Sequence, residues 1–184
     1  MQTTLSTPAG PLTVLLHGPA LLAAGFTRDA GALWPLVHPG LRPGGADSDG
    51  TAGGTTAGDV EVVAKAVAAY FAGDLAAIDA VAVHQAAGGD FLVPAWAALR
   101  AVAPGVPVTY REFAARTGRP AAVRAAAMAC ARNAAALFVP CHRVVRTDGG
   151  LGGYRWGVEI KRLLLAHERD TVAHGTVPAG ETHS

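Results

Sequence analysis

Residues 140–143 of the chain, Pro-Cys-His-Arg, place a thiol, an imidazole and a guanidinium at consecutive positions after a proline. A cysteine reacts as a nucleophile only as its thiolate, so it needs a nearby base or a positive field. His142 can supply the base, and Arg143 adds positive charge. The apolar run 137–139 predicts a buried strand that continues into an extended segment. Because adjacent residues of an extended segment point to opposite faces, we expect a water to link Cys141 to His142.

A buried structural thiol is the alternative interpretation of a cysteine beside a histidine. Cys130 illustrates it, because this residue lies in an alanine-rich segment without an adjacent histidine and is expected to pack as a small apolar side chain. The chain has two cysteines. This number is too small for a disulfide framework or a four-cysteine zinc site, and we predict neither a metal nor a cofactor.

Four segments around the Pro-Cys-His-Arg run resemble the O6-alkylguanine-DNA alkyltransferases, also called methylated-DNA–protein-cysteine methyltransferases. They are residues 124–133 (RAAAMACARN), 138–145 (FVPCHRVV), 148–157 (DGGLGGYRWG) and 161–168 (KRLLLAHE). The Pro-Cys-His-Arg-Val run is highly specific for that family. The resemblance is strong over residues 91–168 and weaker before them. The Tyr-Arg-Trp-Gly variant is shared with the C-terminal domain of bacterial Ada, the branch of the family that the chain most resembles.

The resemblance implies suicide DNA repair. An alkyl group would move from O6 of guanine in duplex DNA irreversibly to Cys141, after the damaged base has flipped out of the helix. O4-alkylthymine is a further candidate substrate. Because the resulting thioether is a poor leaving group, each molecule is expected to act once, as a single-turnover methyltransferase. The implied partner is double-stranded DNA containing O6-alkylguanine, bound by a monomer with no membrane association.

The resemblance also implies a role for each matching side chain. Cys141 corresponds to the acceptor nucleophile, His142 to the residue that takes the thiol proton through a water, and Glu168 to the carboxylate that orients the histidine. Asn133 links the recognition helix to the active-site segment, and Tyr110 contacts the flipped nucleotide. The remaining implied positions are the DNA-binding residues Arg124 and Ala125, alongside Tyr110, and the pocket residues Val144, Tyr154, Arg155 and Trp156.

Two short helices are predicted to carry the DNA-facing residues. A capping box of Thr109 and Glu112 begins a helix over residues 110–116. Pro120 is expected to open a second helix that extends to about residue 132 and carries Arg124. A basic helix with small side chains can approach DNA closely, so the pair indicates a helix-turn-helix unit. Arg124 would fill the gap that a flipped base leaves in the stack.

The first half of the chain has a different pattern. Apolar runs at residues 12–16 and 21–26 flank a Gly-Pro turn and predict a β-hairpin. Residues 39–58 are rich in Gly, Pro, Ser, Thr and Asp and predict a mobile loop. Asp59 is expected to cap the helix that follows. Weak alternation over residues 78–83 predicts a further strand.

We therefore predict the α+β class with two domains. Residues 1–88 would form a small N-terminal α/β domain, which the resemblance implies is ribonuclease-H-like, with the mobile loop at 39–58. Residues 89–172 would form the DNA-binding and alkyl-acceptor domain, which is mostly helical and contains a winged helix-turn-helix-like unit. Residues 173–184 are predicted to be a disordered tail.

Charge is distributed unequally over a chain whose formal net charge is +1. Residues 1–100 hold four basic and eight acidic side chains, a net charge of −4, whereas residues 101–184 hold eleven and six, a net charge of +5. Only Lys65 and Lys161 are lysines. Because arginine suits bidentate contacts to phosphate, the second half is predicted to face DNA.

Composition excludes other classes of protein. A hydrophobic content of 51% excludes a chain that is disordered throughout. The N-terminus lacks the basic and apolar segments of a signal peptide, and no apolar run approaches the length of a membrane span. The expected location is therefore cytoplasmic.

Two other functions remain as alternatives. The first is a binding module that recognises alkylated DNA without repairing it, and relatives of that kind replace the acceptor cysteine that is present here as Cys141. The second is a cysteine hydrolase, whose cysteine and histidine are usually far apart in sequence.

Overall fold

The computed structural model describes residues 1–42 and 54–175, and within these ranges it has the predicted α+β composition. The strands are β1 (Gln2–Thr7), β2 (Gly10–His17), β3 (Ala20–Gly25), β4 (Val108–Thr109) and β5 (Val144–Val145). The α-helices are α1 (Ala57–Phe71), α2 (Leu92–Arg100), α3 (Tyr110–Arg116), α4 (Val123–Ala131) and α5 (Val158–Gly175). Short 3-10 turns join several of these elements.

The N-terminal sheet is an antiparallel meander in the order β1-β2-β3. It contains the predicted hairpin, which is confirmed with its turn at Gly18 and Pro19. The middle strand β2 is buried on both faces. Leu12 and Val14 pack into the main core, whereas Leu15 packs into a second cluster with Leu33. Both faces are covered, so β2 is apolar at successive positions.

Helix α1 begins one turn earlier than predicted. Thr56 is its N-cap, and Asp59, the expected cap, is instead the N3 residue of a capping box. The predicted loop 39–58 is therefore too long at both ends, because Pro39–Leu41 also forms a 3-10 turn. Its middle part, residues 43–53, lies outside the described residues.

The strand predicted at residues 78–83 is wrong. Ala77–Ala80 forms a 3-10 turn, and in this segment only Val83 makes an isolated bridge to β3. The carbonyl oxygens of Asp79 and Val81 accept hydrogen bonds from the Arg100 guanidinium. The Arg100 side chain thus satisfies backbone carbonyl groups that would otherwise pair with a neighbouring strand.

The predicted helix pair is present as α3 and α4, with the expected capping box of Thr109 and Glu112. Helix α4 begins at Val123 and not at Pro120, because the Ala122 amide closes a tight turn onto the carbonyl of Arg119 first. Behind the pair, the Trp96 indole of α2 donates a 2.9 Å hydrogen bond to the Ala129 carbonyl of α4. This bond fixes α4 against the core.

Helix α5 passes the predicted domain end at residue 172. It continues to Gly175, with His174 Nδ1 2.6 Å from the carbonyl oxygen of Asp170 one turn earlier. The predicted tail therefore begins too early, and residues 176–184 lie outside the described residues. The main core contains buried side chains from both sides of the predicted boundary at residue 88. Within residues 1–42 and 54–175, no helix combines the length and apolar character needed to cross a membrane.

Candidate active site

Cys141 follows a compact turn and not the extended strand that the sequence predicted. Residues 137–139 are a turn in which Leu137 adopts a φ of 71°. Cys141–Arg143 then forms a 3-10 turn, closed by the Arg143 amide donating to the Pro140 carbonyl at 3.0 Å. The apolar run predicted a strand because its side chains are buried, but the local backbone hydrogen bonds are those of turns.

The N-terminal sheet anchors this turn. The Ala24 amide of β3 donates to the Ala134 carbonyl at 2.9 Å, and the Ala136 amide donates to the Ala24 carbonyl at 3.0 Å. Because β3 is itself paired along β2, these two bonds hold the backbone before Cys141 against a rigid element.

Asn133 connects the end of α4 to this turn. Its Nδ2 donates to the Val139 carbonyl at 2.7 Å and lies 3.2 Å from Cys141 Sγ, while its Oδ1 accepts from the Ala135 amide at 3.0 Å. The side chain is 4% exposed. A single amide therefore both orders the turn and donates a hydrogen bond to the sulfur.

The Cys141 thiol is buried, with 9% of the residue exposed. Burial raises the pKa of Cys141, because a thiolate is poorly solvated there. The Asn133 hydrogen bond and the positive charge of Lys161 oppose this rise without cancelling it. The sulfur is therefore a thiol at neutral pH and needs a base that acts when the substrate is bound.

His142 and Glu168 form a fully buried pair. Nε2 of His142 lies 2.8 Å from Oε1 of Glu168, and both side chains are 0% exposed. Among the described residues, Nδ1 of His142 has no hydrogen-bond partner, so it does not bond Cys141 directly. Burial lowers the pKa of His142, and the Glu168 carboxylate only partly opposes this shift. A neutral imidazole that donates from Nε2 leaves Nδ1 as a free acceptor.

Glu168 accepts hydrogen bonds from four residues in three separate parts of the chain. Its carboxylate accepts from Tyr70 Oη at 2.7 Å, from Arg143 Nη2 at 2.9 Å and from the Gly105 amide at 3.2 Å, in addition to His142. Burial alone would raise the pKa of Glu168, but the hydrogen bonds and charges of His142 and Arg143 hold it well below its usual range. Glu168 is therefore a carboxylate at all ordinary pH values.

The sequence suggested that Arg143 adds positive charge beside the Cys141 thiol, but its guanidinium is bonded elsewhere. Its guanidinium bonds Glu168 and donates to the Val102 carbonyl at 2.6 Å. It is 3% exposed. The positive charge is paired with the buried carboxylate, and Arg143 holds Glu168 in place.

Sequence reasoning missed Tyr70 and Lys161. Lys161 is 0% exposed. Its ammonium donates to the Val144 carbonyl at 2.6 Å and to that of Leu151, which ties β5 to the following loop. A signal was present in the sequence, because Lys161 and Glu168 share one helical face with buried Leu164. Charged residues on an apolar face are expensive to bury and indicate a paired, functional role.

A cavity of about 490 Å³ opens onto the sulfur. Five predicted side chains other than Cys141 line it, together with small residues of α4 and the loop: Tyr110, Asn133, Tyr154, Arg155, Trp156, Ala127, Cys130, Ala131 and Gly153. Val144, which was predicted to line the pocket, does not line this cavity, because its pairing with Val108 turns it into the core with 0% exposure.

Two tyrosines, Tyr110 and Tyr154, line the cavity. Burial raises the pKa of Tyr110 to about 12, so its phenol remains a neutral donor. The Tyr154 hydroxyl is buried and has no hydrogen-bond partner within residues 1–42 and 54–175. Burial raises the pKa of Tyr154 as well. The walls of the cavity therefore contain two neutral phenols near a buried thiol.

A second, more open hollow of about 440 Å³ adjoins the first and shares Tyr110 and Ala127 with it. Arg124 and Arg146 line this hollow. Arg124 is exposed on α4, whereas Ala125 is half-buried and lines neither hollow. Asp148 also lines the second hollow and pairs with Arg146 at 3.4 Å, so Arg124 and Arg155 give the combined surface a net positive charge.

Comparisons with known proteins agree with this geometry. A family model for the DNA-binding domain of 6-O-methylguanine DNA methyltransferase matches residues 90–170. The methylated-DNA–protein-cysteine methyltransferase of Mycobacterium bovis is 32% identical over 169 residues, which are 90% of each chain. The Escherichia coli bifunctional transcriptional activator/DNA repair enzyme Ada is 51% identical over 83 residues, 45% of this chain. This chain spans 23% of the length of the Ada relatives that it matches.

A solved structure is similar over nearly the whole fold. The crystal structure of Mycobacterium tuberculosis OGT in complex with DNA covers 92% of this chain and 93% of its own, with a TM-score of 0.70 and 30% sequence identity.

Proposed function

Because this chain belongs to the methylated-DNA–protein-cysteine methyltransferase family, we propose that it repairs DNA by moving an alkyl group from O6 of guanine to its own Cys141. The observation that carries the proposal is the thiol of Cys141 at the cavity, with the buried His142–Glu168 pair behind it. Sulfur, base and carboxylate are the parts that thiol alkylation requires.

The proposed reaction is a displacement at the alkyl carbon. The Cys141 sulfur forms a bond to that carbon as the carbon–O6 bond breaks, and the thiol proton passes to His142 Nδ1 through a water. The bonding electrons move onto O6 and the guanine ring, which takes up a proton. The Tyr110 and Tyr154 hydroxyls are the candidate donors for stabilising that leaving group. The thioether is stable, so one protein molecule accepts one group.

Reaction in duplex DNA requires the base to leave the stack, because an alkyl carbon inside the helix cannot reach a buried thiol. We propose that α3 and α4 act as a winged helix-turn-helix-like unit, that Arg124 fills the vacated position and that Ala125 lets α4 approach closely. The exposed side chain of Arg124 next to the hollow supports this assignment.

Further parts of the proposal follow from the family resemblance. We propose that the N-terminal domain is ribonuclease-H-like and that the protein acts as a monomer. We also propose O4-alkylthymine as a further substrate.

Label transfer tests the proposal. The chain is incubated with duplex DNA that carries one O6-[³H-methyl]guanine, and radioactivity in the protein is measured. We expect one label per wild-type molecule and none for Cys141→Ala. The matched control is Cys130→Ala, which removes the other thiol lining the same cavity and should retain transfer. Transfer that survives Cys141→Ala would refute the assignment, and tight lesion binding without label would favour a binding module.

A further inference from the structure

The ring of Trp156 lies against a glycine of the N-terminal sheet. Trp156 lines the cavity beside Cys141, and Gly25 is the last residue of β3. A β-carbon added at Gly25 would be 2.3 Å from Cζ2 and 2.4 Å from Cη2 of Trp156, and 2.8 Å from Cδ2 of Leu33. Since real β-carbons essentially never approach other atoms within 3.0 Å, this ring position is compatible only with glycine.

Gly25 is buried and does not line the cavity, whereas Trp156 does. Trp156 thus packs against the sheet at Gly25 and also lines the cavity, so displacement of its ring away from Gly25 would alter the cavity wall. Gly25 therefore affects the pocket only indirectly, by leaving space for the Trp156 ring.

The loop that carries Trp156 can yield more easily than the sheet. Strand β3 is paired with β2 and bonded to Ala134 and Ala136 through Ala24. The loop at residues 151–157 is paired in no strand, and around Trp156 it is held by the Gly157 amide bond to the Tyr154 carbonyl and by the exposed Arg155 side chain, which donates to the Ala131 carbonyl. A steric conflict at Gly25 would therefore be relieved by movement of Trp156.

We propose that Gly25 is a specificity-determining position that sets the width of the alkyl pocket by seating Trp156. This inference rests on the proposed alkyl transfer and extends it to the N-terminal domain. Gly25 acts through another residue, so it is a positioning residue. In Gly25→Ala the ring moves toward the cavity, which still accepts a methyl group but accommodates a larger one such as benzyl less well.

The test compares two substrates in one sequence context. Single-turnover rate constants are measured with duplexes that carry O6-methylguanine or O6-benzylguanine, for wild type, Gly25→Ala, Trp156→Phe and the double variant. We expect Gly25→Ala to lower the benzyl-to-methyl rate ratio by about tenfold, a size typical of pocket discrimination. In the Trp156→Phe background the same substitution should leave the ratio unchanged, because phenylalanine lacks the two conflicting ring atoms and the remaining close contact, Leu33, does not line the cavity. Gly88→Ala, whose β-carbon would meet nothing within 4 Å, is the matched control.

Two results would overturn the inference: an unchanged ratio in Gly25→Ala, or an equal fall when phenylalanine replaces Trp156. If Gly25→Ala alone does not fold, the inference requires that the double variant folds and that Trp156→Phe alone raises the ratio, and failure of either overturns it. Absence of methyl transfer by wild type would instead refute the proposed function, so the two failures are distinguishable.

Discussion

The hydroxyl of Tyr70 on α1 lies 2.7 Å from Oε1 of Glu168 on α5, the same oxygen that bonds His142. The two residues are 98 positions apart, and both are 0% exposed. The N-terminal helix therefore donates directly to the carboxylate that orients the proposed base. The electrostatic state of the active site depends on a side chain outside the DNA-binding domain.

Replacing Tyr70 by phenylalanine should alter the pH dependence of transfer. Glu168 would lose one donor and interact more strongly with His142, so the pKa of His142 should rise and the pH–rate profile should move to higher pH. A hydrogen bond to a charged group contributes about 1.5–3 kcal/mol, so urea denaturation should show a loss of that order. The matched control is His167→Gln, which affects a neighbouring α1–α5 contact to the Tyr70 carbonyl and should not move the profile. An unmoved profile in Tyr70→Phe would mean that Tyr70 is only structural.

Glu168→Gln should slow alkyl transfer, because a neutral amide no longer favours a positive charge on His142. It should also cost about 3–5 kcal/mol of stability, since Arg143 would be left as a buried charge without its partner. Adding Arg143→Met should recover stability but not the rate. Rapid-quench rates and urea denaturation measure the two effects separately, and a rate that recovers together with stability would contradict the role given to Glu168.

Acid should destabilise the folded protein in two successive ranges. The folded pKa of His142 lies below its usual value of 6.5, so the unfolded chain binds that proton first and stability falls as the pH drops below about 6.5. Glu168 has a lowered folded pKa, so its contribution is present above 4.5 and is lost as the pH falls further. Thermal denaturation between pH 8 and 2 measures both. His142→Gln should abolish the loss of stability that begins below about pH 6.5. If that loss persists in the variant, His142 is not buried as a neutral imidazole.

Arg124→Ala should reduce repair of duplex DNA more than reaction with free O6-benzylguanine, because the free base needs no flipping. Arg124 is exposed, so the folded protein should keep its stability. Arg28→Ala removes one exposed positive charge from the acidic half and is the control for a general charge effect. Equal losses of transfer rate on both substrates would mean that Arg124 has no role in base flipping.

The sequence predicted the chemistry better than the backbone around it. Cys141, Asn133, Tyr110 and Tyr154 meet at one cavity, because a specific motif identifies them independently of local geometry. The turn before Cys141 was predicted as a strand, since burial makes turns and strands equally apolar.

Contacts between distant segments could not be predicted. Tyr70 and Gly25 look like ordinary core and strand residues in the sequence, and their importance arises from neighbours that follow more than 95 positions later. The charge pair of Arg143 and Glu168 is likewise set by tertiary packing.

Intact-mass and peptide mass spectrometry of the protein after exposure to excess duplex O6-methylguanine can show whether Cys141 is the single acceptor of the methyl group. We expect a gain of one methyl group per molecule, located on Cys141, with no further gain on longer incubation. A methyl group on another residue, or repair of more than one lesion per protein molecule, would contradict it.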